Sequence, residues 1–246
     1  MTPAAAAHLG EFGRIWVYLA ASPLLSLTLT LVAYQAGLWL HRKAGMSPLV
    51  NPVLLAVAAL VTLLEATHTS YHTYFAGAQF VHFLLGPATV ALAVPLYRQV
   101  REVRRSLASV LVAVVAGSLT AAGSAVAVGW IFGATRQTLL SLAPKSVTTP
   151  IAMGISEQLG GLPSLTAVLV ILTGIIGAML GTHTLNLLRI RDWRARGLGM
   201  GTASHGIGTA RALMVNEVAG AFSSLAMGLN GLATAILLPL LAALFH

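Results

Sequence analysis

The sequence predicts an all-α polytopic membrane protein with about 7–8 transmembrane segments, inverted repeats and broken or re-entrant helices. Of its 246 residues, 57% are hydrophobic and only 8% are charged, whereas a soluble domain carries about 25% charged residues. Apolar runs of membrane-spanning length, about 17–25 residues, recur along the whole chain. We therefore expect no soluble domain.

Four predicted spans lie in the first half of the chain, at residues 15–40, 48–64, 80–97 and 107–132. Residues 1–14 are a predicted N-terminal tail, and residues 15–246 form a single predicted transmembrane domain. Arg42 and Lys43 follow the first span, and basic loops are retained in the cytoplasm. This predicts an N-terminus on the outer side.

The second half requires a segment that enters and leaves the membrane on one side. Arginines cluster at residues 98–105 and again at 189–196, and the positive-inside rule places both clusters in the cytoplasm. The span 162–188 must then run from outside to inside. We predict that residues 137–158 are two half-helices, broken from Ala143 to Pro150, because irregular backbone is tolerated in a membrane only beside protein or water. The alternative is one full crossing.

Residues 197–211 are too rich in glycine for a stable helix interior, where each glycine costs about 1 kcal/mol relative to alanine. They predict a second broken helix. A final span at 218–244 then predicts a cytoplasmic C-terminus.

A constant register aligns residues 24–117 with residues 139–232. The Thr-His-Thr sequence at 67–69 falls on the same sequence at 182–184, and Glu102 falls on Glu217. Because the predicted spans of the two halves run in opposite directions, we interpret this alignment as an inverted repeat. Secondary transporters with inverted repeats bind substrate near the midplane, where discontinuous helices meet.

The candidate substrate site consists of polar residues near the two breaks, since ionisable groups within a membrane are costly and mark function. Lys145 supplies a positive charge, and the N–H groups that begin the next half-helix supply the positive end of a helix dipole. This combination suits a small carboxylate. The predicted substrate-binding residues are Lys145, Ser146, Thr148, Thr149, Thr202, Ser204, His205 and Arg211.

Three of these residues also have simpler interpretations. Lys145 can lie at the outer interface and extend its ammonium to water. His205 can bind substrate or carry a proton, but it can equally be a structural hydrogen-bonder. Arg211 can be a second anion contact or an interface anchor.

The sequence argues against several other functions. The net charge of +8 comes from arginine clusters between apolar runs, so we do not expect nucleic-acid binding. There is no cysteine, and the Thr-His-Thr sequences lack the additional ligands of a metal site. No nucleophile, base and acid are grouped in the sequence, so we expect neither an enzyme nor a cofactor, apart from a possible coupling ion such as H⁺ or Na⁺.

Four segments resemble the LrgB/CidB family, which also forms the C-terminal half of the plant plastidic glycolate/glycerate translocator. These segments are residues 84–97, 144–153, 196–211 and 217–227. The resemblance implies a multi-pass protein of the bacterial inner membrane, whose partners are the lipid bilayer, an LrgA/CidA-type membrane protein and, in a homodimer, a second copy.

The resemblance implies one of two functions. One is transport of small monocarboxylates such as glycolate, glycerate or pyruvate. The other is antiholin-like regulation of murein hydrolase export and cell lysis, without transport. The paired helix breaks favour the transporter, because a regulator has no evident need for them.

Overall fold

The structure, a computed structural model, describes residues 23–84, 87 and 90–244. This part of the chain is helical and contains no strand, which confirms the predicted all-α fold. The helices are α1 (Pro23–Lys43), α2 (Pro52–Ala66), α3 (Tyr71–Phe83), α4 (Ala93–Arg98), α5 (Val100–Ile131), α6 (Arg136–Leu142), α7 (Thr149–Leu159), α8 (Pro163–Leu187), α9 (Trp193–Val215) and α10 (Glu217–Leu244). Among them α1, α5, α8 and α10 are long and apolar enough to cross a membrane. The chain divides into two compact units, residues 1–91 and 92–246.

The first unit is built on α1, against which α2 and α3 both pack. Gly37 allows this close approach, because a Cβ there would lie 2.7 Å from the carbonyl oxygen of Pro52. The α3 helix is tied to α1 by a hydrogen bond between the Thr30 and Tyr74 hydroxyls, 2.7 Å long. The predicted tail and the first residues of the predicted first span lie outside the described residues.

The third predicted span, residues 80–97, is not one helix in the structure. Helix α3 ends at Phe83 and α4 begins at Ala93. Gly86 of this span lies outside the described residues.

In the second unit, α5 and α10 run side by side in the same direction. Arg98, just before α5, forms an ion pair with Glu217, the first residue of α10, at 3.5 Å. Farther along both helices, the hydroxyls of Ser118 and Thr234 are 2.8 Å apart in the buried interface. We call the end where α5 and α10 begin the arginine end, and the other the opposite end.

Helix α8 runs the other way. Its first turn lies at the opposite end, where the Leu162 N–H donates to Ser141 Oγ at 2.7 Å. Its last turn lies at the arginine end, where Arg196 donates to the Asn186 side chain at 2.9 Å. The segment that follows is therefore close to the start of α5, and the charge of Glu102 acts on Arg194.

The chain enters α9 through a capped turn at the arginine end. The Asp192 side chain accepts from the Arg194 N–H at 2.8 Å, as an N-cap does. The Arg194 guanidinium also donates to this carboxylate at 2.7 Å. These hydrogen bonds lower the pKa of Asp192 to about 2, so the carboxylate stays charged at any physiological pH.

Helices α6 and α7 form the first re-entrant hairpin, as predicted. Leu139 of α6 lies against Gly129, near the end of α5. After the turn at residues 143–148, Ile151 contacts Gly231 of α10, and Ile155 packs with Leu238 nearer the opposite end. The hairpin therefore enters from the opposite end, turns midway along α10 and returns. The alternative of one straight crossing is wrong.

Helix α9 forms a second hairpin from the arginine end. Its first leg runs along α10 away from the arginine end. A Cβ at Gly197 would meet the Ala219 carbonyl, and one at Gly201 would meet the Ser223 carbonyl farther along α10. The leg ends at His205, whose φ of 41° and ψ of −132° are not helical. The second leg runs back towards the arginine end, where Leu213 packs on Gly220. The predicted break is confirmed.

An inverted arrangement is thus present within the second unit, but in a different pairing from the one we predicted. Residues 136–187 and 193–244 are equally long, and each is a hairpin followed by a full-length helix. Gly174 and Gly231 occupy the same position in these segments; Gly174 faces Ile207 of the second hairpin and Gly231 faces Ile151 of the first. In the predicted pairing of 24–117 with 139–232, α5 is aligned with α10, yet these two helices are parallel.

The second hairpin also changes the count of crossings. Because α9 returns to the arginine end, α10 begins there and ends at the opposite end. Cytoplasmic arginine clusters and a cytoplasmic C-terminus, both of which we predicted, are therefore incompatible with each other. The error came from assuming that the glycine-rich helix crosses the membrane.

The return of α9 can be tested by single-cysteine labelling, since the chain has no native cysteine. We expect Phe132→Cys and Ala243→Cys to react with an impermeant maleimide from the same face of membrane vesicles. Arg191→Cys, at the other end of α8, is expected to react only from the other face. Labelling of positions 191 and 243 from one face would mean that α9 crosses the membrane.

Candidate functional site

The two hairpin tips meet at one side chain, Asn230 of α10. Its Nδ2 donates to the carbonyl oxygen of Ser146, in the first tip, at 3.0 Å. The same nitrogen donates to the carbonyl oxygen of Thr202, near the second tip, at 3.1 Å. Asn230 is only 1% exposed, so both bonds lie inside the protein.

These two bonds fix the orientation of the Asn230 amide. Both partners are carbonyl oxygens, which can only accept, so only the NH₂ group can serve them. A flipped amide would place three oxygens together. The Oδ1 atom is buried, and no hydrogen-bond donor of the described residues reaches it.

The first tip carries Lys145, one of the charges that sequence analysis placed near a break. Lys145 is half-buried, and its Nζ donates to Ser146 Oγ at 3.2 Å. Ser146 therefore contacts Lys145 with its side chain and Asn230 with its carbonyl group. The cationic group and the buried amide are thus joined through one residue.

Thr148 and Thr149 lie at the start of α7, on the other side of this turn. Thr148 is the N-cap residue, but its hydroxyl does not cap the helix. Both residues are half-buried. Since the first N–H groups of a helix have no intrahelical partner, this end of α7 offers hydrogen-bond donors near Lys145.

His205 marks the break in α9 and connects it to α8. Its Nε2 lies 2.9 Å from the carbonyl oxygen of Val170, and because a carbonyl can only accept, Nε2 carries a proton. The ring lies over Gly174, where a Cβ would be 2.7 Å from His205 Cε1. One ring nitrogen thus has the structural role that we weighed as an alternative, and the charge of Lys145 acts on the same ring.

Small residues allow the second tip to approach its neighbours. Ser204 is almost fully buried. Its side chain occupies the space that a Cβ on Gly177 of α8 would need. Thr202 approaches Gly117 of α5, where a Cβ would be 2.9 Å from Thr202 Cγ2. The predicted residues of the second break therefore lie in one buried layer with Asn230.

Thr209, in the second leg of α9, stabilises the helix break at His205 by hydrogen bonds. Its hydroxyl donates to the carbonyl oxygen of His205 at 2.8 Å and lies 2.9 Å from Ser223 Oγ of α10. The base of the first hairpin has a similar brace: Thr166 donates to Ser156 Oγ at 2.7 Å and to the Ser141 carbonyl at 3.0 Å. None of these hydroxyl residues is among the predicted substrate-binding residues.

Arg211 is the predicted site residue that the structure does not bring to the tips. It lies between Thr209 and Leu213, which pack at the level of Ser223 and Gly220. At 1.5 Å per residue, this level is roughly 10–15 Å from Asn230 towards the arginine end. Adjacency in sequence misled us, because the chain reverses at His205.

A groove of about 500 Å³ lies between α5 and the first leg of α9. Its walls are almost entirely small residues, and Thr202 is one of them. Neither Lys145 nor Asn230 lines it. We therefore place the candidate site at the tips and not in the groove.

Comparison with known proteins identifies the family. The model of the LrgB-like family matches residues 30–244. The chain belongs to the LrgB-like family. It is 38% identical to the uncharacterized protein YxaC of Bacillus subtilis over 91% of this chain and 96% of that protein. It is 34% identical to the holin-like protein CidB of Staphylococcus epidermidis, covering 90% and 96%, and 31% identical to the antiholin-like protein LrgB of Bacillus cereus, covering 89% and 95%. No solved structure matches significantly.

The LrgB-like match extends over both units, and the resemblance predicted from sequence is confirmed. The residue of this LrgB-like chain that sequence analysis undervalued is Asn230. A polar amide in an apolar span is expected to hydrogen-bond a neighbouring helix, and Asn230 does so at both tips. A signal was available, since it is an amide in the middle of an apolar span, but the sequence does not show that two breaks converge on it.

Helix α8 lies so close to the second tip that a larger side chain at Gly177 is expected to destabilise the protein. Gly177→Ala would place a Cβ on Ser204 Oγ, and overpacking of this kind costs about 1–3 kcal/mol. We expect a lower thermal unfolding temperature in detergent. The matched control is Gly228→Ala, which meets nothing within 4 Å on an exposed face of α10 and gains up to about 1 kcal/mol in helix propensity.

Adding Ser204→Gly to Gly177→Ala removes the overlapping atoms and is expected to restore part of the lost unfolding temperature. Equal unfolding temperatures for the Gly177→Ala and Gly228→Ala variants would show that α8 and the second tip are not packed as described.

Proposed function

We propose that this LrgB-like membrane protein is a secondary transporter of small monocarboxylates, of the size of glycolate, glycerate or pyruvate. The observation that supports the proposal best is the convergence of two oppositely directed hairpins on Asn230. Each hairpin separates the tip region from one end of the unit. Such an arrangement provides a site that can open alternately to either face.

The chemistry of the tips suits a carboxylate. Lys145 supplies a positive charge, and at the start of α7 the N–H groups of Thr149 and Ile151 have no intrahelical partner, whereas Pro150 has no N–H. Among the residues that the structure describes, Asp and Glu are absent from both tips. Ser146, Thr148, Thr149, Thr202 and Ser204 add hydroxyls to the proposed site, with His205 as a further polar group.

We propose that the arginine end faces the cytoplasm, by the positive-inside rule. The first hairpin then opens to the outside and the second to the cytoplasm. With α10 starting at the arginine end, the C-terminus lies outside. We further propose the bacterial inner membrane as the location and an LrgA/CidA-type protein as the partner; the N-terminus on the outer side stays a prediction.

The second candidate function is antiholin-like regulation of a pore-forming partner without transport. It is favoured by the printed names of two relatives, holin-like CidB and antiholin-like LrgB. Under this function the protein suppresses dye leakage from vesicles that contain the partner, and labelled carboxylates do not accumulate.

Transport is tested by the uptake of labelled glycolate and pyruvate into proteoliposomes. We expect saturable uptake by the wild type, and a fall in kcat/KM of about 10–100-fold for Lys145→Ala, the range that the loss of a charge-assisted hydrogen bond gives. Lys43→Ala is the matched control, because Lys43 is the only other lysine and stacks on Trp39 in the first unit.

Unchanged saturable uptake by Lys145→Ala would remove this lysine from the site. If wild-type protein shows no uptake of either acid but suppresses leakage through the partner, the antiholin function is the correct one.

A further inference from the structure

The Oδ1 atom of Asn230 has a hydrogen-bonding capacity that the fold does not use. Asn230 is 1% exposed, and no donor of the described residues reaches this oxygen. A buried acceptor without a partner costs about 1–3 kcal/mol, and such groups in native proteins require an explanation, for instance a partner outside the chain. The atom lies between the two tips, in the layer where the substrate site is proposed.

We propose that Asn230 Oδ1 accepts a hydrogen bond from the 2-hydroxyl group of the transported acid, so that Asn230 selects 2-hydroxy monocarboxylates over carboxylates without a hydroxyl donor. The inference rests on the proposed transport function and identifies which residue sets its substrate preference.

The Asn230 amide is held in one orientation. Both carbonyl partners, of Ser146 and Thr202, are served by Nδ2, so the amide cannot turn to offer a donor without losing both bonds. The site therefore presents a fixed acceptor. A hydroxyl can donate to it, whereas a 2-oxo oxygen or a hydrogen atom at the same position cannot.

Lys145 is connected to the Asn230 amide through Ser146. Its Nζ contacts the side chain of Ser146, and the Ser146 carbonyl contacts Asn230. One residue thus separates the cation from the amide. In a 2-hydroxy acid the hydroxyl is attached to the carbon next to the carboxylate, so both groups of one small molecule can reach Lys145 and Asn230 together.

Selectivity of this kind has a physical precedent. A site built to hydrogen-bond a hydroxyl rejects the analogue that lacks it, because the buried polar group is then left unpaired. An apolar pocket discriminates weakly in the same comparison. Asn230 would therefore affect the ratio between the affinities for acids with and without a 2-hydroxyl group, and not merely the affinity for all acids.

The test uses competition in proteoliposomes that contain the full-length protein, with labelled glycolate and labelled pyruvate as tracers. Unlabelled lactate, propionate and pyruvate have three carbons each and differ only at the 2-position. For the wild type we expect lactate to inhibit uptake roughly tenfold more strongly than propionate. Pyruvate is expected to show no such advantage over propionate.

In Asn230→Ala the ratio between lactate and propionate is expected to fall to about one. A purely structural role in holding the tips would weaken all inhibitors equally and leave the ratio unchanged. Thr234→Ala is the matched control: it lies one turn farther along α10, is also buried, and loses a bond to Ser118 away from the tips. Its ratio is expected to equal that of the wild type.

The outcomes separate the two claims. If the wild type transports either tracer but lactate and propionate inhibit uptake equally, Asn230 does not bind the 2-hydroxyl group. This inference is then overturned, while the proposed transport function stands. The wild-type ratio decides this even if Asn230→Ala fails to fold. If the wild type transports neither tracer, the transport function is rejected and the inference is rejected with it.

Discussion

The hydrogen bonds from Asn230 to two backbone carbonyls are the interaction on which the second unit depends. A break in a helix leaves carbonyl groups without their regular partners; the residue four positions after Thr202, for example, lies beyond the break at His205. Within a membrane, water cannot replace these partners. Asn230 supplies one donor group to each tip from a neighbouring continuous helix. The two helix breaks, each costly alone, are therefore stabilised together. Each break fixes the position of the other along α10.

The remaining architecture follows from bringing two hairpins this close to α8 and α10. Glycines are required where backbones and tips meet, as at Gly174, Gly177 and Gly201, because a side chain there would overlap a neighbour. Hydroxyl pairs then close the bases: Thr166 with Ser156, and Thr209 with Ser223. Thr166 and Ser223 occupy the same position in the two equal segments, so the braces share the inverted arrangement of the helices.

The sequence was sufficient for features that depend on local composition. Apolar runs predicted the long helices, proline and lysine predicted the break at residues 143–148, and glycine density predicted the break in α9. It was insufficient for features that depend on distant contacts. Arginine counting placed the first hairpin correctly, but glycine density cannot show whether a broken helix crosses or returns. That single ambiguity led us to expect the C-terminus on the same side as the arginine clusters. The role of Asn230 was undervalued for the same reason, because it depends on contacts with Ser146 and Thr202, which are 84 and 28 positions away in the sequence.

The proposed transport site depends on this geometry, because only oppositely directed hairpins separate one polar layer from both faces. The most direct test of the geometry is a side-chain-resolved density map of the protein in lipid nanodiscs. Our account predicts that hairpins 136–159 and 193–215 open to opposite faces, with the Asn230 amide between the carbonyls of Ser146 and Thr202. A continuous membrane-crossing helix over either hairpin, or an Asn230 side chain remote from both tips, would contradict it.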